Sequence, residues 1–158
     1  MEIKKAYKKA FKYLESDPVM KYLISKFGRE INIEDRYNKN YAKAIAELII
    51  EQQISFKVAI SIKKKFNHLI SGMTNNEILE INDSKLKGIG ISRMKVKYIK
   101  NVYQYFLDNN INFDSLDNDK IINELTTIKG VGSWTAEMFL IFILFRENVF
   151  SKKDIALL

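Results

Sequence analysis

The chain has no cysteine, one proline, six glycines, one histidine and one tryptophan among its 158 residues. Without thiols there is no disulfide framework, no Cys-ligated zinc and no Cys-ligated iron–sulfur cluster. The lack of thiols also fits a reducing compartment, and a cytoplasmic protein is expected. His68 has no evident partner in sequence and is read as structural or exposed; no His/Asp/Glu spacing stands out as a metal-ligand set. The N-terminal MEIKKAYKKAFKYLESD is charged throughout and lacks the apolar segment of a signal peptide. The longest apolar run, 138–145, is too short to span a bilayer.

What is present is a chain of 47% hydrophobic and 28% charged residues, the proportions of a soluble single domain over 1–158 with a real core. The net charge of +7 fits an anionic partner, nucleic acid or a membrane surface, although a lysine-rich solvated face gives the same count. Apolar residues recur at helical spacing rather than alternating, and breakers are few, so an all-α fold is predicted.

The helix signals are local. Asp17-Pro18 reads as an N-cap followed by Pro at the first helical position, with Gly28 as the stop. Residues 41–53 form an amphipathic helix with Ala42, Ile45, Ala46, Ile49 and Ile50 on its apolar side. Ser55 is placed to cap the next helix, which carries Val58, Ile62, Phe66 and Leu69. Thr74 with Glu77 is a capping-box pattern, Ser92 opens a helix running to Phe106, and Asp117 opens a short one ending near Leu125. Residues 133–145 read as a helix apolar all round, which belongs at the centre of a bundle.

Two short units repeat one design: LKGIGISRMK at 86–95 and IKGVGSWTAE at 128–137. Each places an apolar residue, a Gly-x-Gly turn and a new helix in succession. In the second, Leu125 and Ile128 end one helix on its buried side, Val131 plugs the turn into the core, and Ala136 lets the helices approach. Gly130 and Gly132 are expected to adopt angles that side-chained residues resist, and they leave amides open at a helix start, an arrangement suited to a phosphate. The main-chain carbonyls of Thr126, Ile128 and Val131 could hold a monovalent Na⁺ or K⁺ ion beside it. A plain helix–turn–helix packing corner is the alternative. In the first unit, Arg93, Lys95 and Lys97 suit nearby phosphates, or Gly88 and Gly90 simply make a turn.

Five segments, in order, resemble the helix-hairpin-helix (HhH-GPD) DNA glycosylase superfamily, especially bacterial 3-methyladenine DNA glycosylase II. They are SDPVMKYLISKFG at 16–28, IIEQQIS at 49–55, LKGIGISRMKVKYI at 86–99, LTTIKGVGSWTAEMFLIF at 125–142 and NVFSKKD at 148–154. The resemblance implies an all-α, two-lobed helical bundle that binds double-stranded DNA and flips a damaged base out of the stack. It implies a DNA repair enzyme that removes alkylated purines of the 3-methyladenine type by hydrolysis. A monomer without an iron–sulfur cluster is expected, nucleoid-associated if the source is bacterial. Members of the family continue through further helices, so the chain to Leu158 is expected to be a fragment or a shortened form in which the family's C-terminal helices are absent.

The resemblance assigns the catalytic carboxylate to Asp154, where it would stabilise the cationic sugar and direct water; by residue type alone, Asp154 is a helix cap. Bifunctional relatives carry a lysine two residues after the second hairpin glycine. Trp134 stands there, and Lys129 does not replace it, so no covalent lyase step is expected. The Trp134 indole would stack on an electron-poor methylated base, unless it is core packing, and Met138, one turn on, would line the same pocket or the core. Gln53, with Gln52 and Ile54 beside it, is the expected wedge into the duplex, or a polar interhelix corner. Lys129, Gly130, Val131, Gly132 and Ser133 are the expected phosphate contacts of the hairpin, and Gly88, Gly90, Arg93 and Lys95 those of the earlier turn. Lys152 and Lys153 flank the acid and would tune it electrostatically. A non-catalytic DNA-binding module and a glycosylase for another lesion are the competing readings.

Overall fold

The computed structural model describes residues 2–30, 38, 40–152 and 154. Nine α-helices and one 3-10 turn, with no strand, are found among these residues, as the spacing predicts. They divide into two compact units, Met1–Asp35 and Arg36–Leu158.

The first unit holds α1 (Glu2–Leu14) and α2 (Pro18–Phe27). The Asp17 carboxylate accepts the amides of Val19 and Met20 at 2.8 and 2.9 Å, and Pro18 occupies the first helical position, where its missing N–H costs nothing. The Gly28 amide closes the helix onto the Ile24 carbonyl at 2.8 Å.

The second unit is built on α3 (Tyr41–Glu51), which carries seven buried residues. It packs against α4 (Phe56–Leu69), α7 (Arg93–Asp108) and α9 (Ser133–Phe142). Two short helices, α5 (Asn75–Glu80) and α6 (Asp83–Gly88), lie on α7. α8 (Asn118–Thr126) pairs with α9. The capping predictions hold at Thr74–Glu77, where both halves of the box are made, and at Ser92 and Asp117. They fail at Ser55, which occupies the N-cap position of α4 without a side-chain bond. α1 and α6 are additions to the sequence reading, and α9 stops at Phe142 rather than Phe145, which has a positive φ of 52°.

α9 buries Thr135, Ala136, Met138, Phe139 and Leu140, the central position expected of a helix apolar all round. Phe139 joins Tyr41 and Phe113 in an edge-to-face triad with centroids 5.2–5.5 Å apart; each such pair contributes about 0.5–1.5 kcal/mol beyond its area. Arg146 donates to the carbonyls of Phe113 and Leu116 at 2.8 and 3.0 Å and ties the segment after α9 to the 3-10 turn Phe113–Ser115. Among the described residues no helix is long and apolar enough to cross a membrane.

Candidate active site

The α8–α9 connection is the predicted hairpin. Ile128 and Val131 are buried, and the Val131 amide donates to the Ile128 carbonyl at 2.9 Å, closing the turn. Gly130 has a φ of +108°, and a Cβ there would lie 2.2–2.6 Å from Tyr98 side-chain carbons. Both the backbone and the neighbouring ring therefore require glycine. Gly132 differs: its φ of −95° and ψ of 176° are ordinary extended values, and a Cβ would meet nothing within 4 Å. The expectation that both glycines serve unusual angles holds at Gly130 alone. Gly132 is the N-cap of α9, and no side chain caps that helix. The missing side chain leaves the helix start open to an approaching anion.

The corner between α3 and α4 faces this turn. Gln52 donates through Nε2 to Thr135 Oγ1 at 2.9 Å and more weakly to the Gly130 carbonyl at 3.4 Å. Thr135, 1% exposed, is thereby satisfied. Gln53 is exposed and holds a left-handed φ of 55°, a conformation that costs about 1–3 kcal/mol for a side-chained residue and is kept where surrounding structure enforces it. Lys95 of α7 supplies part of that enforcement. Its Nζ donates to the carbonyls of Ile50 and Gln52 at 2.9 and 2.5 Å, capping the carbonyl end of α3. Desolvation pulls the Lys95 pKa below the ordinary lysine value. Asn101, two turns along α7 from Lys95, donates to the Lys129 carbonyl at 3.0 Å.

Around these elements lies a cavity of about 580 Å³ lined by Glu51, Gln52, Gln53, Tyr98, Gly130, Val131, Gly132, Trp134, Thr135 and Asp154. The volume suits a small-molecule-sized group. Among the described residues its walls carry two carboxylates and two large aromatic rings, with no lysine or arginine. Glu51 is paired with Lys63 of α4. Asp154 is half-buried, and its amide donates to the Ser151 carbonyl at 3.2 Å.

The structure thus brings Gln52, Gln53, Gly130, Val131, Gly132, Trp134 and Asp154 to one cavity. Met138 is not among its walls and sits 5% exposed in the core, because the helix turns it inward. Ile54 is half-buried, and Lys129 and Ser133 are exposed beside the turn. Gly88 ends α6, Gly90 lies in the α6–α7 turn and Arg93 opens α7, all outside the cavity walls; Gly90 has a φ of +104° and faces Ile62. Lys153 and residues 155–158 lie outside the described residues. Tyr98 and Asn101 were not anticipated. Their signal is the spacing of Lys95, Tyr98 and Asn101, which sets three polar or aromatic side chains along one face of α7.

The family model for the "HhH-GPD superfamily base excision DNA repair protein" matches residues 46–156, which contain every wall of the cavity. The chain belongs to this superfamily. This HhH-GPD chain is similar to DNA-3-methyladenine glycosylase of Saccharomyces cerevisiae, 31% identical over 75% of this chain and 45% of the yeast protein. DNA-3-methyladenine glycosylase 1 of Schizosaccharomyces pombe is 27% identical over 89% of this chain and 65% of that protein. The chain therefore spans about half to two thirds of the length of these relatives. The S. pombe 3-methyladenine DNA glycosylase, solved in complex with abasic DNA, superposes with a TM-score of 0.82, covering 94% of this HhH-GPD chain and 76% of that one at 27% identity.

Proposed function

We propose that the protein removes alkylated purines of the 3-methyladenine type from double-stranded DNA, as a monofunctional hydrolase of the bacterial 3-methyladenine DNA glycosylase II kind. The observation that carries this reading is the meeting of Asp154, Trp134 and the Gly130–Val131–Gly132 turn around one cavity. The names of the relatives and the DNA complex among them support it.

The chemistry follows from the walls. The hairpin and the open start of α9 hold a backbone phosphate, a contact that positions without reading sequence. Gln53, displayed on its left-handed corner, fills the gap left by the flipped nucleotide. The indole of Trp134 and the ring of Tyr98 receive the base; a methylated purine carries positive charge, which aromatic faces and carboxylates favour. As the C1′–N bond breaks, its electron pair leaves with the base, which departs neutral. The Asp154 carboxylate stabilises the cationic sugar. Water attacks C1′, and Asp154 takes the proton it releases. No amine stands at the place of Trp134, so the sugar is released to water rather than to a covalent adduct. A monovalent cation on the carbonyls of Thr126, Ile128 and Val131 would add charge next to the phosphate. The donors fit it in kind, being neutral main-chain oxygens, and the Ile128 carbonyl keeps one lone pair after accepting Val131.

The test is release of free base from methylated duplex DNA. Asp154→Asn is expected to lower the single-turnover rate by about 100-fold or more while DNA affinity is retained. DNA binding without base release by the wild type leaves the non-catalytic reading standing. Preferential release of a neutral lesion overturns the alkylpurine assignment, and a borohydride-trapped adduct overturns the hydrolytic one.

A further inference from the structure

Ser151 is unlike the residues around it. Phe150 and Lys152 are exposed, whereas Ser151 is 1% exposed, one of two buried polar residues in the protein's described part, the other being Thr135. Its hydroxyl donates to the Glu137 carboxylate on α9. The segment after α9, tied first at Arg146, is pinned again at Ser151, one turn before the acid, whose amide donates to the Ser151 carbonyl at 3.2 Å. Glu137 in turn lies one helical turn after Trp134. A single helix thus carries the aromatic wall directly and is joined to the segment bearing the acid by the part-buried Ser151–Glu137 hydrogen bond.

We propose that Ser151 and Glu137 are a positioning pair that sets Asp154 in the cavity at a fixed distance from Trp134. Neither lines the cavity, so both act through the acid. The inference rests on the catalytic reading of Asp154 given above. Its physical basis is that a carboxylate acting on a developing cation must be held in place, because a displacement of about 1 Å lowers a rate by roughly 100-fold. Among the described residues of 149–154, Ser151 is the one that is fully buried. Glu137 also has an acceptor that glutamine retains and alanine does not, which allows the pair to be broken or kept without touching Ser151.

The full chain is compared as wild type, Glu137→Gln, Glu137→Ala and Ser151→Ala, each assayed well below its own melting midpoint. Glu137→Ala and Ser151→Ala are expected to lower single-turnover base release by about 10- to 100-fold with DNA affinity within twofold of wild type. Glu137→Gln is expected to stay near wild type, and the double alanine variant to be no slower than either single one. Amide hydrogen exchange over 149–154 is expected to rise in Glu137→Ala and not in Glu137→Gln. A lowered melting point with an unchanged rate, or a rate that falls together with affinity, overturns the proposal in favour of a purely structural bond. Unchanged exchange in Glu137→Ala overturns it even if the wild type releases no base, which is the separate failure of the proposed activity. If Ser151→Ala does not fold, the Glu137 pair and the exchange measurement decide alone.

Discussion

Gly130→Ala isolates the demand that the hairpin makes on its sequence. Two costs coincide there. The backbone has a φ of +108°, and an added methyl would fall 2.2, 2.4 and 2.6 Å from Tyr98 Cγ, Cβ and Cδ1. The first cost is conformational, about 1–3 kcal/mol for a side-chained residue in such a region. The second is steric, about 1–3 kcal/mol for overpacking, since the clashing atoms are the base of a ring rather than a flexible tip. Together they amount to roughly 2–6 kcal/mol against a total stability of about 5–15 kcal/mol. For a chain of this size each kcal/mol moves the melting point by about 2–4 °C, so a loss of roughly 5–20 °C is expected in thermal unfolding followed by circular dichroism. The Tyr98→Ala background separates the parts. There, Gly130→Ala retains the conformational cost and the clash with Cβ at 2.4 Å but loses those with Cγ and Cδ1, giving a coupling that is a part of the steric cost of about 1–3 kcal/mol. Gly132→Ala is the control, because its backbone is ordinary and its surroundings empty. It should leave the melting point within about 2 °C and weaken DNA binding by crowding the start of α9. A Gly130→Ala protein that melts within about 2 °C of wild type, or a coupling of zero with Tyr98, refutes the reasoning.

Three further outcomes are expected. Lys95 is committed to the carbonyls of Ile50 and Gln52, so Lys95→Met should lower stability by about 1 kcal/mol and leave the salt dependence of DNA binding unchanged. Lys129→Ala, at an exposed position in the hairpin, should reduce the slope of log K against log salt by about 1; a fall in slope for Lys95→Met would return that lysine to the phosphate contacts. Bonds from the backbone amide and then the hydroxyl of Thr74 hold the Glu77 carboxyl below its ordinary value of 4.5. A depressed carboxyl pKa stabilises the fold above the unfolded value and ceases to do so as pH falls through the folded one. Glu77 should therefore titrate by NMR below 4.5 and move up towards it in Thr74→Ala; an unmoved value contradicts the capping box.

The fold was legible where one residue's chemistry decides a backbone event. Asp17-Pro18, Thr74 with Glu77, Ser92 and Asp117 each satisfy amides within a few residues, and the structure shows those bonds. Ser55 shows the limit, since the right residue in the right place makes no cap. The hairpin was legible from Gly-x-Gly between apolar anchors, but the division of labour between its glycines was not. Gly130 is needed because Tyr98, 32 positions earlier, packs against it, and local sequence carries no record of that contact. Lys95 was legible as a cation and not as a helix cap for the same reason: its acceptors lie on α3. Trp134 and Met138, one turn apart, invited a shared assignment. The first borders the cavity and the second is core, because α9 is apolar on every side and its period cannot say which face meets an opening.

The positive φ of Gln53 reaches beyond stability. A side chain at that corner must first tolerate a left-handed backbone, which branched residues such as valine, isoleucine and threonine resist most strongly. On the proposed reading of Gln53 as the wedge into the duplex, the choice of side chain is thus filtered by backbone geometry before any nucleotide is met. Natural or selected replacements at position 53 should favour long unbranched side chains, asparagine or glycine, whatever their polarity.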